Sequence, residues 1–126
     1  MIFTIYGELY SSKNSRQIFL NKYTGRRYVV KSDAAKADEI ELINKLKNIK
    51  IAFQKELRGK LLPYHIKFKI YRQTKRRFDY INIIQNLQDC MVKAGLIDDD
   101  NANILLPIFE EYKVDSIKPR VEMEIL

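Results

Sequence analysis

The chain contains few of the residues that stabilise secreted proteins or anchor proteins in membranes. It has one cysteine, no tryptophan, three prolines and four glycines among 126 residues. A single cysteine excludes an internal disulfide and a multi-cysteine zinc site, which favours a reducing compartment. No run approaches the roughly 20 apolar residues that span a bilayer, and the N-terminus lacks the basic start of a signal peptide. We therefore expect a cytoplasmic protein with no membrane partner.

The remaining composition is that of an ordinary globular protein. The hydrophobic fraction is 46%, which is too high for a disordered chain. The length suits one domain with its own core, whereas two domains of half this size would each be marginal. We therefore predict a single domain that spans residues 1–126.

The charge of the chain is unevenly distributed. The net charge is +7, and residues 60–78 contain seven lysine and arginine residues but no aspartate or glutamate. Residues 79–126 contain ten acidic and only four basic side chains. A basic surface beside an acidic concentration suits a protein that attracts a polyanion and holds cations at one place. The alternative is a solvated surface with uneven charge.

The spacing of apolar residues predicts an α+β protein with the element order β-β-β-α-β-α-β-β. Alternation favours strands, and apolar spacings of three and four favour helices. The predicted elements are a strand at 2–6, a hairpin of 17–21 and 26–31 with Gly25 in its turn, a helix from Ser32 or Asp33 to Gly59, a strand from Tyr64 with one basic face, a helix at 80–94 between Asp79 and Gly95, a strand at 103–114 interrupted by Pro107, and a strand at 120–125. This order predicts a mixed sheet of about five to six strands backed by two main helices.

Carboxylates are the strongest candidates for chemistry. Three consecutive aspartates, residues 98–100, follow the second helix. Crowded carboxylates repel one another unless cations compensate, and two-metal phosphodiester cleavage needs several carboxylates around its ions. The segment is therefore a candidate metal-binding loop, and the alternative is an acidic surface turn.

Other polar residues have plain structural interpretations. Asp79 is placed to cap the second helix, and Asp89 is expected to be a solvated helix residue. His65 is expected to be exposed on the basic strand face. Cys90 lies on the apolar stripe of its helix, so we expect it to be buried and inert.

The segment from Arg77 to Asp100 resembles the signature of the RusA-type Holliday junction resolvases. In that family an Asp-x-Asp-Asn motif opens a helix, and a lysine and then an aspartate follow. A glycine ends the helix, and an Asp-Asp pair comes four residues later. The positions that correspond to this signature are spaced without a gap, and they are Asp79, Ile81, Asn82, Gln85, Asp89, Gly95 and the pair Asp99-Asp100. Residues 12–16 also resemble the early Lys-Asn loop of the family.

The resemblance implies a homodimeric endonuclease that requires Mg²⁺, with Mn²⁺ as an alternative ion, and cuts four-way DNA junctions in recombination and repair. It implies a bacterial or phage origin, no small-molecule substrate, metal ligands at Asp79, Asp99 and Asp100, and a catalytic role for these three with Asn82. The expected DNA contacts are Lys13, Arg16, Lys67, Lys69, Arg72, Lys75, Arg76 and Arg77.

Two positions depart from the family motif. Ile81 occupies the position of the motif's second aspartate, and Gln85 occupies the position of its lysine. A working site would need Asn82, Asp89 or Asp98 to compensate. The alternatives are a junction-binding protein with weakened catalysis, and a basic module that binds RNA or a protein.

Chain geometry restricts the expected metal site. A helix between Asp79 and Gly95 is roughly 22 Å long, whereas five extended residues span at most about 17 Å. Asp100 can approach Asp79 only if the chain reverses at Gly95 and runs back along the helix. A second subunit that completed the site would remove this restriction.

Overall fold

The computed structural model describes residues 1–10, 16–20, 22–31 and 33–126. Its elements are β1 (Ile2–Tyr6), β2 (Arg16–Leu20), β3 (Arg27–Lys31), α1 (Asp33–Leu57), β4 (Tyr64–Arg72), α2 (Tyr80–Lys93), β5 (Leu105–Phe109), β6 (Lys113–Val114) and β7 (Arg120–Ile125). The predicted α+β class and both helices are confirmed, while Ser32, one of the two predicted starts of α1, lies outside the described residues. Within the described ranges, no helix is both long enough and apolar enough to cross a bilayer.

The strands form a mixed five-stranded sheet and a separate two-stranded ribbon. The sheet has the order β1-β7-β4-β5, and β6 pairs with β4 beyond the end of β5. β4 runs antiparallel to β7 and parallel to β5 and β6. β2 and β3 form the predicted hairpin, with Gly25 at a φ of +69° in its turn. The hairpin strands belong to their own sheet.

The strand predicted at residues 103–114 is interrupted at a different place. β5 continues through Pro107, which is paired in register with Ile66 of β4, so the prediction of a break at Pro107 was wrong. The sheet path ends at β5, and an edge strand tolerates the missing N–H of proline. The break falls instead at residues 110–112, between β5 and β6.

The two helices pack with one face of the sheet around a single apolar core. Leu46 and Phe53 of α1, Phe68 of β4 and Leu87 of α2 are fully buried in it. The rings of Phe3 and Phe53 lie 5.1 Å apart and join β1 to α1. The alternation predicted for β4 is confirmed because Ile66, Phe68 and Ile70 are buried while their neighbours are not. The other sheet face carries the polar side chains.

The end of α2 directs the chain back along the helix. Gly95 has a φ of +80°, a conformation that glycine adopts without the strain a side chain brings. The backbone N–H of Leu96 donates to the carbonyl of Met91 at 3.0 Å, and Gln54 of α1 donates to the carbonyl of Gly95 at 2.8 Å. Leu96 and Ile97 are then buried. These contacts fix where the acidic loop at residues 98–100 emerges.

Candidate functional site

Asp79 occupies the N-cap of α2, as predicted. Its backbone is extended, with φ −101° and ψ 116°, and its carboxylate accepts a hydrogen bond from the N–H of Ile81 at 3.1 Å. This bond satisfies one of the N–H groups that a helix start leaves unpaired. Asn82 lies half-buried in the first turn. Asp79 itself remains exposed to solvent.

Asp99 organises the acidic loop through its own carboxylate. One oxygen accepts from the backbone N–H of Asp100 at 2.8 Å, and the other accepts from the side-chain amide of Asn101 at 2.9 Å. These bonds, that of Asp100 first, lower the pKa of Asp99 below its usual value. These two hydrogen bonds therefore favour the ionised form of Asp99.

Asp100 is half-buried, and it lies near Asp89 of α2. Partial burial raises the pKa of Asp100 above its usual value, and the negative charge of Asp89 adds to this effect. Asp89 is ten residues beyond Asp79, which is about 15 Å along a helix. The chain thus turns back after Gly95, the condition for Asp100 to approach Asp79, but the loop reaches the later part of α2.

The predicted metal ligands are not gathered into one site within the chain. Among the residues that the structure describes, no three histidine, cysteine, aspartate or glutamate side chains lie together in a way that could hold a metal ion. Asp79 lies at the start of α2, whereas Asp99 and Asp100 belong to the loop that follows its end. The carboxylates of one chain therefore do not fit a bound Mg²⁺ as a complete set.

The motif positions of α2 share one exposed stripe of the helix. Ile81, Gln85 and Asp89 are spaced by four residues, which places them on the same face, and all three are exposed. Ile81 is 63% exposed, although it is a large apolar residue. The stripe runs along α2 from the end that Asp79 caps to Asp89, which lies near Asp100.

A basic loop directly precedes this stripe. Lys75, Arg76 and Arg77 lie between β4 and α2, and all three are exposed. None of them is within ion-pair distance of an acidic group in the described part of the chain. The backbone N–H of Arg76 donates to the hydroxyl of Thr74 at 3.3 Å. We call residues 75–77 the basic loop; its charges are available to a polyanion.

The polar face of β4 has balanced charge. Lys67 lies 3.1 Å from Glu110 and 3.6 Å from Glu124, and Lys69 lies 3.7 Å from Glu110. The ion pair raises the pKa of Lys67 and lowers that of Glu110. The sequence alone suggested a basic strand face. It does not show that Glu110 and Glu124 lie beside these lysines, because that contact depends on how the strands pair. Lys67 and Lys69 are thus occupied within the chain.

Arg72 connects the end of β4 to the segment after β1. Its guanidinium lies 2.8 Å from the carboxylate of Glu8 and donates to the carbonyl of Leu9 at 2.7 Å. It also covers the ring of Phe78 at 4.6 Å from the ring centre. The backbone N–H of Gln73 donates to Glu8 at 2.8 Å. These contacts give Arg72 a structural role, since they hold the end of β4 to the segment after β1.

We expect Arg72→Gln to lower the free energy of unfolding by about 1–3 kcal/mol, because it removes a charged hydrogen bond and leaves the largely buried Glu8 without its cationic partner. Chemical denaturation measures this loss. Arg76→Gln is the matched control and should change the stability by less than about 0.5 kcal/mol, since Arg76 is exposed. Equal losses of unfolding free energy in the two variants would contradict the structural role of Arg72.

We expect Asp100→Asn to stabilise the fold slightly at neutral pH. The folded-state pKa of Asp100 is raised, so its ionised form is less favourable in the folded chain than in the unfolded chain. The gain should be present above the folded pKa and should disappear as the pH falls below the unfolded pKa, where both forms are neutral. Thermal unfolding at pH 7 and at pH 3 measures it. A variant destabilised at pH 7 would contradict the environment described for Asp100.

Two predicted DNA contacts are not placed by the structure. Lys13 lies outside the described residues, and Arg16 is described only through its backbone in β2.

An aromatic cluster beside Asp79 was missed by the sequence reasoning. Its rings belong to Phe78, Tyr80, Phe109 and Tyr112. The signal available in the sequence was weak, because Phe109 and Tyr112 are separated from Phe78 by about thirty residues. The parallel pairing of β4 with β5 places Phe109 opposite Phe68, whose carbonyl accepts a hydrogen bond from the hydroxyl of Tyr80.

A scan of the chain against models of protein families finds no match, and a search of curated proteins finds none either. The resemblance to the RusA-type resolvases therefore depends on the motif spacing alone.

Proposed function

We propose that the protein is a RusA-type endonuclease that binds branched DNA, four-way junctions above all, as a homodimer and cuts it with Mg²⁺ or Mn²⁺. The observation that carries the proposal is the exposed stripe of α2. Three motif positions share this face, with Asp79 and the basic loop at its start and Asp100 near Asp89 at its end. An arrangement of this kind places acidic groups beside cations that attract phosphates.

In this proposal Asp79, Asp99 and Asp100 hold the metal, and Asn82 orders their surroundings. Mg²⁺ supplies charge neutralisation and an activated water in reactions of this class. Because one chain does not gather three ligands in its described part, the proposal requires the second subunit to complete the site. A two-fold dimer suits a junction, since two opposed strands need the same cut.

The phosphate contacts belong to the basic loop, with Lys13 and Arg16 as further contributors. Lys67 and Lys69 are neutralised by Glu110 and Glu124, and Arg72 is held by Glu8. We therefore assign these three to the stability of the domain. The distinction is testable, since phosphate contacts change the salt dependence of binding and internal ion pairs do not.

A second candidate is a junction-binding protein without cleavage. Ile81 and Gln85 favour it, because neither side chain can replace the carboxylate and the ammonium group of the family motif. In this candidate the dimer and the basic loop are retained, and the acidic loop is a surface turn.

One experiment separates these candidates. A labelled four-way junction and a linear duplex of the same sequence are incubated with the protein, with and without Mg²⁺. We expect cleavage of the junction only with Mg²⁺, and loss of cleavage in Asp100→Asn but not in the control Asp38→Asn, which changes an exposed aspartate of α1. Selective binding without cleavage supports the second candidate. Equal binding of junction and duplex contradicts both and favours a module that binds RNA or a protein.

A further inference from the structure

The aromatic cluster is a layered arrangement at the start of α2. Tyr80 and Phe109 are stacked, with ring centres 5.1 Å apart and 28° between the planes. Phe78 meets Tyr112 edge to face at 4.9 Å and lies 5.8 Å from Tyr80. The hydroxyl of Tyr80 donates to the carbonyl of Phe68 at 3.2 Å, which holds its ring against the sheet. Phe109 therefore rests on a fixed support.

Two of these rings remain open to solvent. Phe109 is 43% exposed and Tyr112 is 37% exposed, whereas Phe78 and Tyr80 are packed against the core. If these rings served only to extend the core, deeper burial would stabilise the fold more, because burying apolar surface is favourable. The arrangement thus presents aromatic surface that is held in place by the rings beneath it.

The surroundings of the cluster contain cations that can contact an anion, beside the exposed carboxylates of Asp79 and Glu111. Phe78 directly follows the basic loop, whose three cations lack ion-pair partners in the described part of the chain. Arg72 lies over the Phe78 ring. Glu110, which follows Phe109, is neutralised by Lys67 and Lys69. Aromatic rings beside free cations are the features that bind single-stranded nucleic acid, because bases stack on the rings and phosphates meet the cations.

We propose that Phe109 and Tyr112 form a stacking surface for an unpaired nucleotide whose flanking phosphates contact the basic loop. The proposal deepens the function given above and rests on it for the source of the nucleotide, which is a base at the branch point of the DNA that becomes unpaired when the protein binds. Stacking requires no particular base, since every base has an aromatic face. We therefore expect little sequence preference at this position.

The test uses the full chain and a short single strand of thymidines, with a duplex of the same length as competitor. We expect Phe109→Leu and Tyr112→Leu each to weaken binding of the single strand roughly fivefold or more, the loss typical of one stacked base. Phe109→Tyr retains a ring and should bind within about twofold of the original chain. Tyr6→Leu is the matched control, because it removes an exposed tyrosine from β1 at the opposite edge of the sheet.

A second measurement does not depend on variants. A strand that carries the fluorescent base 2-aminopurine should lose fluorescence when the original protein stacks on that base. Unchanged fluorescence on binding, or equal binding by Phe109→Leu and Tyr6→Leu, overturns the proposal. Its outcome is separate from the proposed function. Junction cleavage with no effect of the ring variants rejects only the stacking surface, whereas single-strand binding without junction preference rejects only the junction function.

Discussion

Replacing Ile81 by aspartate is expected to raise Mg²⁺-dependent cleavage of a four-way junction by about tenfold or more, a barrier change of about 1.4 kcal/mol. The substitution places a carboxylate two residues after Asp79, at the position where the RusA-type motif has its second aspartate. Ile81 is 63% exposed, so the core is not disturbed. A negative charge in the first turn of a helix adds about 0.3–1 kcal/mol of stability. Initial rates of junction cleavage at fixed Mg²⁺ measure the gain.

Ile81→Asn is the matched control for this prediction. It has nearly the same shape as aspartate but no charge, so we expect it to cleave no faster than the original chain. Adding Gln85→Lys to Ile81→Asp restores the lysine of the family motif at a position that is also exposed on the same stripe. This second substitution should not reduce the gain in cleavage. A stable Ile81→Asp chain with no increase in cleavage would speak against a nuclease site on this face and favour the junction-binding candidate.

Removing the charge of the basic loop is expected to weaken DNA binding by about 10- to 100-fold near physiological salt. The variant carries Lys75→Gln, Arg76→Gln and Arg77→Gln, which changes three exposed cations without an ion-pair partner in the described residues. Each phosphate contact contributes about 0.9 to the slope of log affinity against log salt, so the slope should become shallower by about 3 per chain. Binding measured at several salt concentrations gives both quantities.

The control for the basic loop changes the same net charge elsewhere. Lys36→Gln, Lys47→Gln and Lys55→Gln together remove three exposed lysines from α1. If the loop contacts phosphates, this control should change the salt slope by less than about 1, since only general attraction is reduced. Equal slopes for the two triple variants would show that overall charge, and not the basic loop, determines affinity.

The helices and the strand β4 were predictable because their signals are local. The apolar spacing of α1 and its end near Gly59 are recorded in adjacent residues, and so are the Asp79 cap and the Gly95 stop of α2. Alternation along β4 specified which side chains enter the core. These features depend on contacts within a few residues, where sequence patterns carry most of the information.

The features that the sequence did not predict depend on strand pairing. The neutralisation of Lys67 requires Glu124 of β7 opposite it and Glu110 after β5. The aromatic cluster requires the parallel alignment of β4 with β5. A strand pattern does not specify its partner or register, so neither contact can be read along the chain. The sequence therefore predicted the helix cap at Asp79, but not which cations of the described residues lack an ion-pair partner.

Recognition of branched DNA by this surface is tested most directly by one comparison of affinities. The dissociation constant for a four-way junction is measured without Mg²⁺ beside that for a linear duplex of the same sequence, at the same salt concentration. We expect the junction to bind at least about tenfold more tightly than the duplex, a difference of about 1.4 kcal/mol, and we expect the triple variant of the basic loop to bind the junction more weakly. Equal affinity for the two DNAs across the salt range would contradict recognition of branched DNA by this surface.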